Sequence, residues 1–175
     1  MYVNNTYRQQ EVYLSMANRV TVLPFWDINL SVDYQWNKLN ANLTDFPYPR
    51  RNTTLVAAAT SLHFDRFKFQ ASVLGTFVHE NVASDTTSAG NKMEFTPTAI
   101  ASYKPFKNID FNLRAFYKRI FRMPTLNDLY YTFIGNIKLK PEYTNQYNIG
   151  FTYQKLFTGT WLQALNVQLD AYYNE

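Results

Sequence analysis

Between Trp26 and Asn37 the chain changes polarity at every residue. Even positions are Trp26, Ile28, Leu30, Val32, Tyr34 and Trp36, and odd positions are Asp27, Asn29, Ser31, Asp33, Gln35 and Asn37. Successive side chains of a β-strand point to opposite faces, so a strand here has one wholly apolar face and one wholly polar face. The same alternation recurs through Phe67–Phe77, Phe95–Tyr103, Ile109–Tyr117, Tyr143–Gln154 and Leu165–Asn174. It is weaker in the Ala-rich Thr53–Phe64 and weakest in Tyr7–Met16. The pattern predicts about eight strands, most of roughly 10–12 residues, where soluble strands usually run about 5–6.

The composition fits a two-faced sheet. Aromatic residues make up 18% of the chain and charged residues only 17%, against about 25% charged in an average domain. Mean hydropathy is still negative, at −0.35, because Asn, Gln, Thr and Ser fill the remaining positions. The net charge of +4 is modest and the longest basic run is Arg50-Arg51, so no nucleic-acid footprint is visible. Single-strand binders also mix aromatic and basic residues, but here the aromatics follow strand parity. Cysteine is absent, which excludes disulfides and thiolate metal sites. The N-terminus has no apolar signal-peptide core. No apolar run approaches the roughly 18 residues of a membrane helix, so a membrane-spanning version of this chain crosses as strands.

The connections alternate in length. Short turns are expected at Asp65-Arg66, at Lys104–Asn108 with Pro105, and at Phe157–Trp161 with Gly159. Long loops are expected at Lys38–Asn52, Glu80–Lys92 and Ile120–Glu142. Short turns at one end and long loops at the other is the arrangement of up-and-down membrane barrels. Trp26 and Trp36 supply a geometric check. They share a face ten residues apart, about 33 Å along a strand. A tilt near 40° projects that to about 25 Å, the height of a barrel's apolar band with its aromatic girdles.

Within the third long loop, Thr125 is placed to cap a short helix, with Asp128 as its reciprocal partner. Leu126, Leu129 and Tyr130 then share one side of it. The loop and its flanks carry a family likeness. Phe121-Arg122-Met123-Pro124-Thr125-Leu126 followed by Asn127-Asp128-Leu129-Tyr130-Tyr131 resembles the motif after an ascending strand in TonB-dependent receptors. Gly135-Asn136, then Leu139-Lys140-Pro141-Glu142, then Asn145-Gln146-Tyr147-Asn148-Ile149-Gly150 resembles the lead-in and the descending strand. The close match covers about 35 residues. One departure is Ile137, where the family often has a proline.

The resemblance implies an all-β, antiparallel, up-and-down transmembrane β-barrel of about 22 strands, of which residues 1–175 are a partial segment. It implies a bacterial outer-membrane location and uptake of a scarce nutrient, such as a metal chelate, cobalamin or a glycan. It also implies partners: outer-membrane lipid, the rest of the barrel, a plug domain, the nutrient ligand, and the TonB protein acting on an N-terminal box. Plug and box are not found in these residues, so a piece of the C-terminal half of a receptor is expected. In that reading Asp27, Asp33, Arg114, Lys118, Gln168 and Asp170 face the lumen.

Two other readings stay open at the sequence level. One is a small, closed outer-membrane barrel with a structural or adhesion role, since eight strands suffice for closure. The other is a soluble β-sandwich that binds carbohydrate through exposed aromatics. No catalytic, cofactor or metal site is expected. His63 and His79 have no ligand-spaced partners. Glu80 and Asp85, read as loop residues, have no pocket signature for acid–base work. Arg122 and Glu142 are expected to bridge the base of the large loop. Tyr130 and Tyr131 are candidates for loop packing before ligand contact.

Overall fold

The computed structural model describes residues 5–83, 88–131, 135–159, 161 and 163–175. Its strands are β1 (Tyr7–Leu23), β2 (Trp26–Ala41), β3 (Arg50–His63), β4 (Phe67–Asn81), β5 (Lys92–Tyr103), β6 (Asp110–Arg122), β7 (Glu142–Leu156) and β8 (Ala164–Asn174), with one short helix, α1 (Leu126–Tyr130). The strands form a single sheet in the order β1-β2-β3-β4-β5-β6-β7-β8, each antiparallel to its neighbours. The fold is therefore all-β and up-and-down. β1 and β8 remain edges, so the eight strands do not close on themselves.

Two expectations shift in detail. β1 runs on from Met16 to Leu23, because its pairing with β2 continues residue by residue from Tyr7↔Ala41 to Thr21↔Asp27. Its alternation is blurred by Ala17 on the polar side and Asn18 on the apolar side. The first long loop shrinks to residues 42–49, since β2 continues through Lys38 to Ala41 and β3 begins at Arg50. A tight turn at Pro24-Phe25 joins β1 to β2. It lies at the same end as the turns at 64–66 and 104–109 and the connection after Leu156, which includes two residues outside the described set. The loops at 42–49, 82–91 and 123–141 lie at the opposite end.

Register sorts the side chains by face. Asp27 and Asp33 of β2 share a face with Lys118 and Arg114 of β6 and with Asp170 and Gln168 of β8. This face is cross-linked. Arg19 donates to Asp27 at 2.6 Å, and Ser15 donates to Asp33 at 2.5 Å. Arg114 reaches from β6 over Gly150 of β7 to Asp170 of β8, at 2.6 Å. The opposite face is apolar and bare: Leu30 is 52% exposed and Ile149 is 64% exposed. An apolar surface spread over a whole sheet face is far larger than soluble monomers leave uncovered.

Trp26 and Trp36 sit at the two ends of the apolar side of β2. The Trp26 indole N–H donates to Thr60 Oγ1 at 2.8 Å, so its polar edge is satisfied while its ring stays on the apolar face. Rings collect at both ends of that face. Phe25 stacks on Phe64 at 5.2 Å near the short turns. Tyr117 meets Tyr147 at 5.0 Å and Phe121 meets Tyr143 at 5.5 Å toward the long loops. The β5–β6 ladder ends at Thr98↔Lys118, next to Pro97, which has no N–H to offer.

Gly150 generates a prediction. A Cβ there would run into Asp170 Oδ1 and lie 2.7 Å from the Leu169 carbonyl. Gly150→Val is expected to cost about 1–3 kcal/mol through overpacking and to part Arg114 from Asp170. Denaturant unfolding measures this, and an unchanged midpoint would contradict it.

Candidate functional site

The loop between β6 and β7 folds back over the polar face at the long-loop end. Its anchor begins with local chemistry. Thr125 has extended backbone angles, φ −70° and ψ 163°, and caps α1. Its hydroxyl accepts from the Asp128 N–H at 3.2 Å, and Asp128 Oδ2 accepts from the Thr125 N–H at 2.8 Å. This reciprocal box satisfies two donors that a helix start leaves open. The backbone N–H of Thr125, and then its hydroxyl, hold the Asp128 carboxyl below its ordinary value. Just beyond α1, the Gly135 N–H donates to the Tyr131 carbonyl at 2.6 Å. A Cβ on Gly135 would lie 2.6 Å from Tyr131 backbone atoms, so only glycine allows that approach. Asn136 then turns the chain: its Oδ1 accepts from the Lys138 N–H at 2.9 Å.

The helix turns one side inward. Leu126, Leu129 and Tyr130 are buried against Leu39 of β2 and Phe46 of the first long loop. Tyr131 stacks on Tyr7 at 4.2 Å. Among the described residues this is the main buried apolar cluster, and it lies at one end of the sheet.

Beside it is a charged hub. Arg51 of β3 and Glu80 of β4 are directly opposite each other. Both are buried, at 7% and 3% exposure. Arg51 Nε and Nη2 donate to Glu80 Oε2 at 2.8 and 2.6 Å, and Nη1 donates to the Pro124 carbonyl at 2.6 Å. The Tyr130 hydroxyl donates to Glu80 Oε1. The Ala89 N–H lies 3.3 Å from Glu80 Oε1 and 3.2 Å from the Tyr130 oxygen. Burial, and then the bond to Glu80, raise the Tyr130 phenol above its ordinary value, so it remains a neutral donor. One ion pair thus ties β3, β4, the second long loop and the β6–β7 loop together.

Glu80 is therefore not a loop residue, as the sequence suggested. It is the last inward-facing position of β4, and both its oxygens are engaged. Asp85, its suggested partner, lies outside the described residues. His63 Nε2 lies 3.1 Å from the Pro24 carbonyl, and His79 is exposed on the other face. Among the described residues no three metal-ligating side chains come together.

The remaining motif residues line the loop's base. Arg122 and Glu142 face each other across β6 and β7, with Nη1 to Oε2 at 3.6 Å and both side chains exposed. Pro124, Leu139 and Lys140 join them around a groove of about 500 Å³, and Pro141 leads into β7. Phe121 points to the apolar face against Tyr143. A second groove, of about 430 Å³, opens on the polar face beneath the loop, lined by Gln9, Glu11, Gln35, Asn37, Thr53 and Arg122 among others. The Asn37 carboxamide oxygen is buried there without a partner, the one such side-chain atom among the described residues. Neither groove holds a nucleophile beside a base, and both offer amides, hydroxyls and paired charges for binding.

Sequence reasoning did not single out Arg51, Asn37 or the Arg51–Glu80 pair. The hub yields a prediction. Arg51→Met leaves the Glu80 carboxylate buried without its cation, expected to cost about 3–5 kcal/mol. Tyr130→Phe removes one donor, expected to cost about 1–3 kcal/mol. The two together should cost less than their sum. Unfolding midpoints of the two variants and their combination check this; a neutral Arg51→Met would contradict it.

The chain matches a known family. The model of the β-barrel of TonB dependent receptor-like proteins covers residues 2–175. No curated protein matches the chain.

Proposed function

We infer the function from one premise: this chain belongs to the TonB-dependent receptor β-barrel family. Members of that family are outer-membrane receptors and transporters rather than enzymes. We propose that residues 1–175 form part of the wall of such a receptor, which takes up a scarce nutrient with energy delivered through TonB. The observation that carries this is the segregation of faces by register across all eight strands.

In hydrocarbon every backbone N–H and C=O must be paired, which suits a continuous antiparallel ladder. The bare apolar face meets lipid, with Trp26 and Trp36 marking the two interfaces as an aromatic girdle. The cross-linked polar face looks into a hydrated lumen and against a plug. The free edges of β1 and β8 are met by other strands of the same barrel. TonB acts through a plug-bearing N-terminal part. The motif from Phe121 to Glu142 serves as a structural brace, which the packing of Leu126, Leu129 and Tyr130 supports. The amides of the groove beneath it favour a nutrient rich in hydroxyl or amide groups, within the range of metal chelates, cobalamin and glycans.

Two rival readings fit less well. A small closed barrel needs β1 to pair with β8, and these remain edges. A sandwich needs a second sheet over the apolar face, and the eight strands form one sheet.

The chain has no cysteine, so single-cysteine labelling tests the reading cleanly. The polypeptide carrying this chain is expressed in a bacterial outer membrane and treated with an impermeant maleimide. Thr44→Cys and Asn127→Cys, in the long loops, are expected to react on intact cells. Asp65→Cys and Lys107→Cys, in the short turns, are expected to react only after permeabilisation. Equal or reversed labelling contradicts the orientation. In the same cells the nutrient should accumulate only while TonB is present, and accumulation without it contradicts energised uptake.

A further inference from the structure

We propose that the lipid-side face of β1–β3, just beyond the apolar band, holds a phosphate-bearing lipid headgroup of the outer leaflet through Arg8, Lys38 and Arg50. The proposal rests on the membrane reading above. It starts from an electrostatic conflict. Lys38 of β2 stands directly opposite Arg50 of β3, and Arg8 of β1 stands opposite Asn40, one same-face position farther along. Like charges directly opposite on paired strands repel. Among the described residues none of the three has a carboxylate within ion-pair distance. The nearby acids of the paired strands are on the other face: Glu11 is bound by Gln35 at 2.7 Å, and Glu80 is held by Arg51.

Adjacent residues show the contrast. Arg51 points inward and is neutralised, while Arg50 points outward and has no counter-charge among the described residues. The side chains interleaved with the cations are amides, Gln10, Asn40 and Asn52. At the short-turn end of β2–β4 the same face carries Trp26, Ile28, Leu62 and Phe67, and no cation. On these three strands the charge is therefore placed at one edge of the apolar band only.

The position selects the partner. Lys38 lies two residues beyond Trp36, about 6–7 Å along the strand, at the depth of lipid headgroups when Trp36 marks the interface. Three neighbouring strands span about 10 Å, which brings all three cations around one tetrahedral anion. Guanidinium forks match phosphate oxygens bidentately, and an ammonium adds a point charge. The long-loop end is the outward end of such barrels, so the headgroup belongs to the outer leaflet.

The test uses the whole polypeptide that carries this chain, in phosphatidylcholine nanodiscs doped with lipid A or with lipid A stripped of its phosphates. Native mass spectrometry counts the lipid that remains bound after release into detergent. The parent should retain lipid A, lose it as salt rises, and not retain the dephosphorylated lipid. Arg8→Gln, Lys38→Gln and Arg50→Gln combined should lower retention by about tenfold or more. Lys155→Gln, toward the other end of the barrel, should leave it unchanged. Inorganic phosphate at the same salt concentration should not displace the lipid, which separates a headgroup site from a free-anion site.

A second readout depends on sign. In uncharged detergent Lys38→Gln should raise the unfolding temperature, because it relieves the repulsion with Arg50. With lipid A bound it should lower it. Equal retention by the triple variant, or the same sign in both media, overturns the proposal. When the polypeptide inserts with the labelling pattern given above, that failure touches this proposal alone. A polypeptide that does not enter the discs overturns the membrane reading and this proposal with it.

Discussion

The rest of the structure depends on a coupling between two properties of extended backbone. Each residue must pair its N–H and C=O sideways, and each side chain must point opposite to its neighbour's. Antiparallel ladders join all eight strands, and most of them run nearly the full length of their strands. Its one early stop, beside Pro97, lies where a residue has no hydrogen to give. With register fixed, polarity is distributed without further choice. Most acids and amides gather on one side and most aliphatic and aromatic groups on the other, with exceptions such as Ile100 and Phe116 on the polar side and Thr60 on the apolar side. A slip of one residue would exchange the two sides completely.

A sheet of this kind has no interior of its own along most of its length, and the long-loop end is the exception. There the faces change character. On the polar side Leu39 and the Arg51–Glu80 pair are covered by α1 and its neighbouring loops. On the apolar side Lys38, Asn40 and Arg50 replace the row that runs from Trp26 to Trp36. The inversion has a physical logic. Packing the loop inward requires apolar groups and paired charges beneath it, and leaving the lipid layer requires polar groups outside it. The consecutive arginines of β3 serve both needs through parity alone.

Much of this was legible in the residues. The clean alternation of Trp26–Asn37 gives β2 its faces, and the spacing of Thr125 and Asp128 gives α1 its cap. The tight turn at Asp65-Arg66 even contains the hub. In a two-residue hairpin, opposed residue numbers share one sum, and 65 and 66 add to the same total as 51 and 80. Folding the hairpin on paper therefore brings Arg51 to Glu80. Reading Glu80 as loop hid this, because a charge at the end of an apolar strand looks like a boundary. The full length of β1 was not legible for a different reason. Ala17 and Asn18 break its pattern, and the strand is extended by its neighbour rather than by its own side chains. The partnerless oxygen of Asn37 arises from packing across several strands, which no single segment encodes.

The central claim is that the even-numbered side of β2 meets lipid while the odd-numbered side meets water. Site-directed spin labelling tests it most directly. Single nitroxides at positions 29 to 32, in the whole polypeptide embedded in a bilayer, report accessibility to oxygen and to a water-soluble nickel chelate. Strict alternation is expected, with oxygen favoured at Leu30 and Val32 and the chelate or burial at Asn29 and Ser31. Uniform accessibility along the strand, or the chelate favoured at Leu30, would contradict it.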